Sequence, residues 1–282
     1  MSLKNFIDLH IHTSPDIRPR KLDDLEQAAL AEKVGARAIV FKNHFSPTVA
    51  RAKIAEKLHP GVQILGGVVL NEAVGGLNPA AVKHTLGIGG KIVWLPTLDA
   101  ANHRSLCREA GGIRILDSDA NLKDEVLEIL DLVNTAEAIL ATGHLSKEEI
   151  FILAAAAAER KFPRLMINHP EHKVTNLSIQ DQHDILALHE VYFERCHSQP
   201  VGHGSYRDNF ERNWKSIQEI GYESTIIASD FGQIENDRWD TGMVEYMEFL
   251  HQHISDPAKL KTITHDNAAM LLGLPELTTA TI

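Results

Sequence analysis

Hydrophobic and polar residues follow a repeating rhythm along this chain, in which short, nearly continuous apolar runs alternate with longer stretches of helical spacing. Residues 6–13 form the first run, mostly apolar and closed by His10-Ile11-His12. Residues 22–34 then place apolar positions at helical spacing, with acidic residues in the first turn and Gly35 as a stop. Residues 38–42 read as a strand buried on both faces, with Lys42-Asn43-His44 where it emerges. The same unit recurs. Helices are predicted at 48–58, from Asn78-Pro79 onward, and at 123–136, 147–161, 178–189, 205–220, 241–253 and 265–272. Ser146 and Glu149 make a capping box for the 147–161 helix. Strands are predicted at 63–70, 91–95, 139–142, 165–167, 191–194 and 225–228.

Strand and helix in alternation call for a parallel sheet covered by helices, and eight such units favour closure into a (β/α)8 TIM barrel. No glycine-rich phosphate loop follows any strand, which argues against an open nucleotide-binding sheet. The 282 residues suit a single domain of this kind, 1–282. The rhythm lapses only at 96–119, where a short helix at 100–109, a Gly111-Gly112 turn and a strand-like 113–116 read as a lid insertion.

Composition narrows the function. A formal net charge of -10 with dispersed Lys and Arg lacks the footprint of a nucleic-acid binder, and no apolar run reaches membrane-spanning length. A small-molecule substrate is expected instead. Cys107 and Cys196 have no CxxC partner, so neither a disulfide framework nor a thiolate metal site is expected. The start of the chain lacks a signal-peptide pattern, and a cytoplasmic setting follows as the expectation. Association into a homo-oligomer is left open.

Barrel active sites lie at the C-terminal ends of the strands. Those ends carry His10 and His12, Lys42 and His44, His144, His169, and Asp230. Residues two apart on a strand share a face, so His10 and His12 are expected side by side, with Asp8 in the same phase but deeper. Several neutral imidazoles with one carboxylate suit zinc, manganese or iron with an open position for water. Asp230 is then placed to accept a proton from that water. His103, Arg104, His172, Arg195 and His197 are expected to be solvated or structural, and the seven histidines at 59, 84, 183, 189, 251, 253 and 265 to lie in helices or outer loops.

The set Asp8-x-His10-x-His12, Thr142-Gly143-His144-Leu145-Ser146, Asn168-His169-Pro170, Ser229-Asp230-Phe231-Gly232 and the late run 267–274 resembles the amidohydrolase superfamily of metal-dependent hydrolases. The resemblance implies that His10, His12, His144, His169 and Asp230 are metal ligands, with Asp230 also the proton shuttle. It implies one or two divalent ions, zinc foremost, and hydrolysis of an amide, lactone or related ester. Binuclear members supply a bridging carboxylated lysine or glutamate from strand three or four, whereas strand four here ends in Trp94-Leu95-Pro96-Thr97. Lys42 and Glu72 are the available substitutes, with Lys42 open between bridge, substrate contact and rim charge, and His44 a further bridging or substrate-binding candidate. The opening motif with Lys42-Asn43-His44 also resembles the PHP phosphoesterases, although Asn43 stands where an aspartate is usual. A phosphoesterase, of that type or phosphotriesterase-like, is therefore the alternative. A non-catalytic, metal-containing binding protein is the alternative of another class.

Overall fold

The computed structural model describes residues 2–197 and 206–277. Eight parallel strands pair in sequence order: β1 (Ile7–His12), β2 (Ala38–Lys42), β3 (Gln63–Val69), β4 (Ile92–Trp94), β5 (Ile139–Ala141), β6 (Leu165–Asn168), β7 (Tyr192–Cys196) and β8 (Thr225–Ala228). The barrel closes where Asp230 N–H donates to His10 O at 2.9 Å and His12 N–H donates to Phe231 O at 2.7 Å, joining the end of β8 to β1. The connections carry α1 (Asp24–Val34), α2 (Val49–Leu58), α3 (Pro79–Gly87), α4 (Ala101–Leu106), α5 (Asp124–Thr135), α6 (Lys147–Glu159), α7 (Ile179–Leu188), α8 (Tyr206–Ile220), α9 (Trp239–His253), α10 (Pro257–Lys261) and α11 (Asn267–Leu272). The expected (β/α)8 barrel is therefore observed. The helix predicted at 205–220 begins its described part at Tyr206, since Ser205 lies outside the described residues.

Alternation along the strands sorts side chains into two cores. Ile7, Leu9, Val40, Trp94, Ala141, Met166, Tyr192 and Ile226 pack together and fill the barrel. The opposite phase, including Ile11, Ile39, Ile227 and Phe193, packs against the helices. Side chains in phase with the first set thus line the axis, and their last members reach the mouth. Glu194 is in phase with Tyr192, and Lys42 with Val40.

One strand breaks its own alternation. β1 pairs Asp8 with Ile39 but Ile11 with Phe41, so three steps on β1 match two on β2. This bulge lets His10 follow the inward Leu9 while His12 still lies beside Lys42 in the ladder. It also removes Asp8 from the expected phase. Asp8 accepts from the His10 amide at 3.0 Å, the Ser229 amide at 3.1 Å and the Trp239 indole at 2.7 Å. The carboxylate therefore ties β1, β8 and α9 together through their backbone and an indole, and contacts no imidazole of the site.

The end of the chain departs from the single predicted helix at 265–272. Lys261 leads from α10 into a π-helical turn, Thr262–Asp266, before α11. Ala268, Ala269, Leu271 and Leu272 then join the barrel-filling core. Segment 113–116 makes only isolated bridges, Ala100 to Ile113 and Leu116 to Leu122. Among the described residues no helix is long and apolar enough to cross a membrane.

Candidate metal centre

The strand ends bring their polar side chains into one cavity of about 520 Å³, lined by His10, His12, Lys42, His44, His144 and Asp230 among others. His169 borders it, its ring 5.2 Å from that of His144 and 6.2 Å from that of His10. All seven side chains are buried. At the centre, Asp230 Oδ1 lies 3.0 Å from His10 Nε2 and 3.2 Å from His12 Nε2. The ring of His44 stacks on His12 at 4.7 Å.

Local backbone explains how these groups face inward. His169 and Asp230 adopt positive φ, 30° and 53°, which turns the chain sharply as it leaves β6 and β8. Non-glycine residues hold this conformation only where the surroundings enforce it. For Asp230 the enforcement is visible in the bonds from its own amide to His10 O and from the Phe231 amide to Ser229 Oγ. Gly143, at φ 61°, performs the same turn before His144. A Cβ there would lie 2.3 Å from Leu95 O.

The sequence motifs missed one carboxylate. Glu194, on β7, places Oε2 3.1 Å from His10 Nδ1 and accepts from Asn168 Nδ2 at 2.7 Å. Its signal was phase: a carboxylate at a strand's end, two residues after the inward Tyr192. Cys196, two residues further, stands 3.9 Å from His10 Nδ1 and 3.6 Å from Glu194 Oε2. Donor atoms of His10, Cys196 and Asp230 lie within 4.8 Å of one another. A lone cysteine without a CxxC partner is thus brought beside the centre by the strand pairing, against the sequence expectation. Burial pushes its thiol up, so it is held protonated.

Glu72 is a second correction. It sits on a short 3-10 turn, Glu72–Val74, with its side chain 61% exposed and paired to Arg104 at 3.1 Å. Its neighbour Asn71 is the inward residue, bonding Thr97 Oγ1 at 2.8 Å, while Thr97 contacts His44 Nδ1 at 2.8 Å. Glu72 therefore lies outside the cluster. Lys42 lies inside it, with Nζ 3.0 Å from His10 Nε2 and 5.3 Å from the Trp94 ring centre. Asn43 is engaged in its turn, accepting from the Phe45 and Ser46 amides and donating to Pro15 O. It offers the cavity nothing in place of the aspartate a PHP site uses.

Segment 96–119 contributes Leu98, His103, Leu106 and Cys107 to the cavity wall. Asn102 on α4 donates to the carbonyls of His144, Leu145 and Val174, which anchors the short helix. His103 then stacks on His144, ring centres 4.8 Å apart and Nδ1 atoms 2.8 Å apart, so one of the two nitrogens donates. His103 and His172 line the cavity, Arg104 bonds Glu72 outside it, and Arg195 is buried against Glu171 and Gln182. His197 packs among Phe210, Phe231 and Tyr246.

Electrostatics divide the imidazoles of the site into neutral rings and one charged ring. Burial drives His12, His44 and His144 well below the ordinary histidine range and His169 to about 3, so these rings are neutral and carry a free lone pair. His10 moves the other way. Burial opposes its charging, but Asp230 and Glu194 prevail and raise it to about 9. Burial likewise works against ionised Asp230, yet His10 and His12 hold it well below the usual carboxylate range. Burial also lowers Lys42, partly countered by Asp230. The donor set fits a divalent ion. Asp230 Oδ1 lies close to both imidazoles, and the donor atoms of His10, Cys196 and Asp230 lie within 4.8 Å of one another. His12 Nδ1, buried and without a hydrogen-bond partner, leaves Nε2 as the atom that meets Asp230.

The eight-stranded barrel is shared with solved structures of amidohydrolases. Solved structures bear out the fold: an amidohydrolase from Pseudomonas aeruginosa is 13% identical over 96% of this chain and 98% of that one, with a TM-score of 0.67. A zinc-bound amidohydrolase from Burkholderia multivorans is 12% identical over 96% and 99%, TM-score 0.62. A 4-oxalomesaconate hydratase from Rhodopseudomonas palustris is 15% identical over 95% of each, TM-score 0.56. Within this fold, the chain belongs to the family of unknown function DUF6282, whose model matches residues 5–194. That span holds His10, His12, Lys42, His144, His169 and Glu194, while Asp230 lies beyond it. No curated protein matches the chain.

Proposed function

We propose that this protein is a metal-dependent hydrolase that cleaves an amide, lactone or related ester bond of a small molecule. The observation that carries the reading is the Asp230 carboxylate oxygen set between His10 Nε2 and His12 Nε2 at the mouth of the barrel. His10, His12 and Asp230 would hold a divalent ion, zinc foremost with manganese or iron as alternatives, and His144 and His169 stand ready to complete the set or hold a second ion. Such an ion supplies Lewis acidity and lowers the pKa of water toward about 7.

The chain's own residues do the rest. Asp230, kept ionised, takes the proton of the attacking water and delivers it to the leaving group. Glu194 fixes the His10 ring through Nδ1, which aims Nε2 at Asp230. Segment 96–119, through His103 and the apolar Leu98 and Leu106, excludes bulk water from the reacting bond. Two free thiols, one of them exposed, support a reducing cytoplasmic setting.

Metal analysis of protein purified after metal-replete expression, with His10→Ala alongside, tests the assignment. We expect one or two divalent ions per chain, lost in the variant. Two ions would be consistent with Lys42 as a bridge, and one with Lys42 as a substrate contact. A panel of lactones, amides, esters and phosphoesters then reads the bond class. Metal-free protein that takes up no divalent ion would overturn the enzyme reading, and turnover of phosphoesters alone would overturn the bond class.

A further inference from the structure

We infer that the cavity recognises a carboxylate on its substrate, with Arg20 as the anchor and His172 as a second hydrogen-bond donor. The inference rests on the hydrolase reading of the same site and adds the class of substrate.

Arg20 leaves the β1–α1 connection with its side chain only 3% exposed. Its backbone is held by the bridge to Gln233, three residues after Asp230. Asp16 accepts from Nε at 2.8 Å and fixes the plane of the guanidinium. Nη2 is buried without a hydrogen-bond partner, and Arg20 lines the cavity. Its charge also reaches His12, Lys42 and His44. A buried guanidinium donor left unbonded is unfavourable by itself, and an anionic acceptor reverses that.

His172 repeats the pattern from the β6–α7 connection. The Val174 amide donates to its Nδ1 at 3.0 Å, so the proton of the neutral ring sits on Nε2. That Nε2–H is buried, has no partner, and belongs to a cavity-lining residue. The lining carries four cations, Arg18, Arg20, Lys42 and Lys173, against the anions Asp230 and Glu235, with Asp16 behind the wall paired to Arg20. In a chain of net charge -10 this is a local reversal of sign, the arrangement that concentrates an anionic substrate. One unpartnered guanidinium nitrogen with one unpartnered imidazole N–H matches a planar carboxylate, which needs fewer donors than a phosphoryl group.

The test uses metal-loaded protein and two readouts. In the first, calorimetry measures binding of glutarate and of glutaramide to the wild type, Arg20→Met and Arg20→Lys. We expect glutarate to bind more tightly than glutaramide, and Arg20→Met to weaken glutarate roughly ten- to hundredfold. Arg20→Lys keeps the charge and the Asp16 partner, so it should fold and lose less. In the second, matched lactones bearing a carboxylate or a carboxamide are compared by kcat/KM. The preference for the carboxylate should fall by a similar factor in Arg20→Met and by a smaller one in His172→Phe. Turnover without carboxylate preference would sink this inference and leave the hydrolase reading standing. Arg20-dependent glutarate binding without turnover of any lactone, amide or ester would do the reverse. Glutarate affinity unchanged in folded Arg20→Met also overturns the anchor.

Discussion

At the scale of single residues, the site depends on a few side chains whose ionisation is set by burial and by each other. Asp230 is ionised because His10 and His12 outweigh the penalty of burying a carboxylate. Asp230→Asn keeps the shape but removes the acceptor charge. Steady-state kinetics on the best substrate of the panel should show kcat down by about 10²–10⁴-fold, with the unfolding transition close to wild type. An unchanged kcat would assign proton transfer to another group. The imidazoles and Asp230 were legible in the sequence because each sits in a short motif at a predicted strand end. Glu194 and Cys196 sit in no such motif, Glu194 being marked only by its phase on β7, and the pairing of β7 with its neighbours carries both to His10.

The elements matter through the turns that end them. Gly143 holds φ 61°, and a Cβ there would lie 2.3 Å from Leu95 O and 2.6 Å from Pro96 O. Gly143→Ala should cost about 1–3 kcal/mol of stability from backbone strain alone, and should displace His144, the next residue. Thermal unfolding and metal stoichiometry together check this. Gly87→Ala, at the end of α3 with open space around its Cβ, is the control: it should not lower the unfolding transition and should leave metal stoichiometry unchanged. Some helix starts are marked by local caps, of which the Ser146–Glu149 box is legible in the sequence. Asp23 with Glu26 and Ser146 with Glu149 form the capping boxes of α1 and α6. The β1 bulge could not be read from the sequence, because a register shift is a relation between two strands and leaves no mark on either alone.

For the molecule as a whole, stability is tied to buried neutral histidines. Burial lowers His197 to about 3, among Phe210, Phe231 and Tyr246. Unfolded, the ring titrates near 6.5, so between these values the unfolded chain binds a proton that the folded chain refuses. Its contribution to stability is complete above pH 6.5 and is lost as the pH falls toward 3. Between pH 7.5 and 5 this one group should remove about 2 kcal/mol. Urea unfolding of metal-free protein at both values measures the loss, and His197→Gln should show a shallower pH dependence. Equal slopes in the two proteins would locate the effect in other groups.

By itself the sequence determined the barrel, since eight apolar runs separated by amphipathic stretches admit few other arrangements, and it determined the His-x-His, Gly-His, Asn-His and Ser-Asp strand ends. The tertiary structure alone decided which polar groups meet: it set Asp230 between His10 and His12, moved Asp8 out of their phase, left Glu72 exposed, and brought in Glu194, Cys196, Arg20 and His172. The reason is physical. Alternation and capping act between residues near in the chain, whereas register, closure and loop packing act between residues up to more than two hundred positions apart.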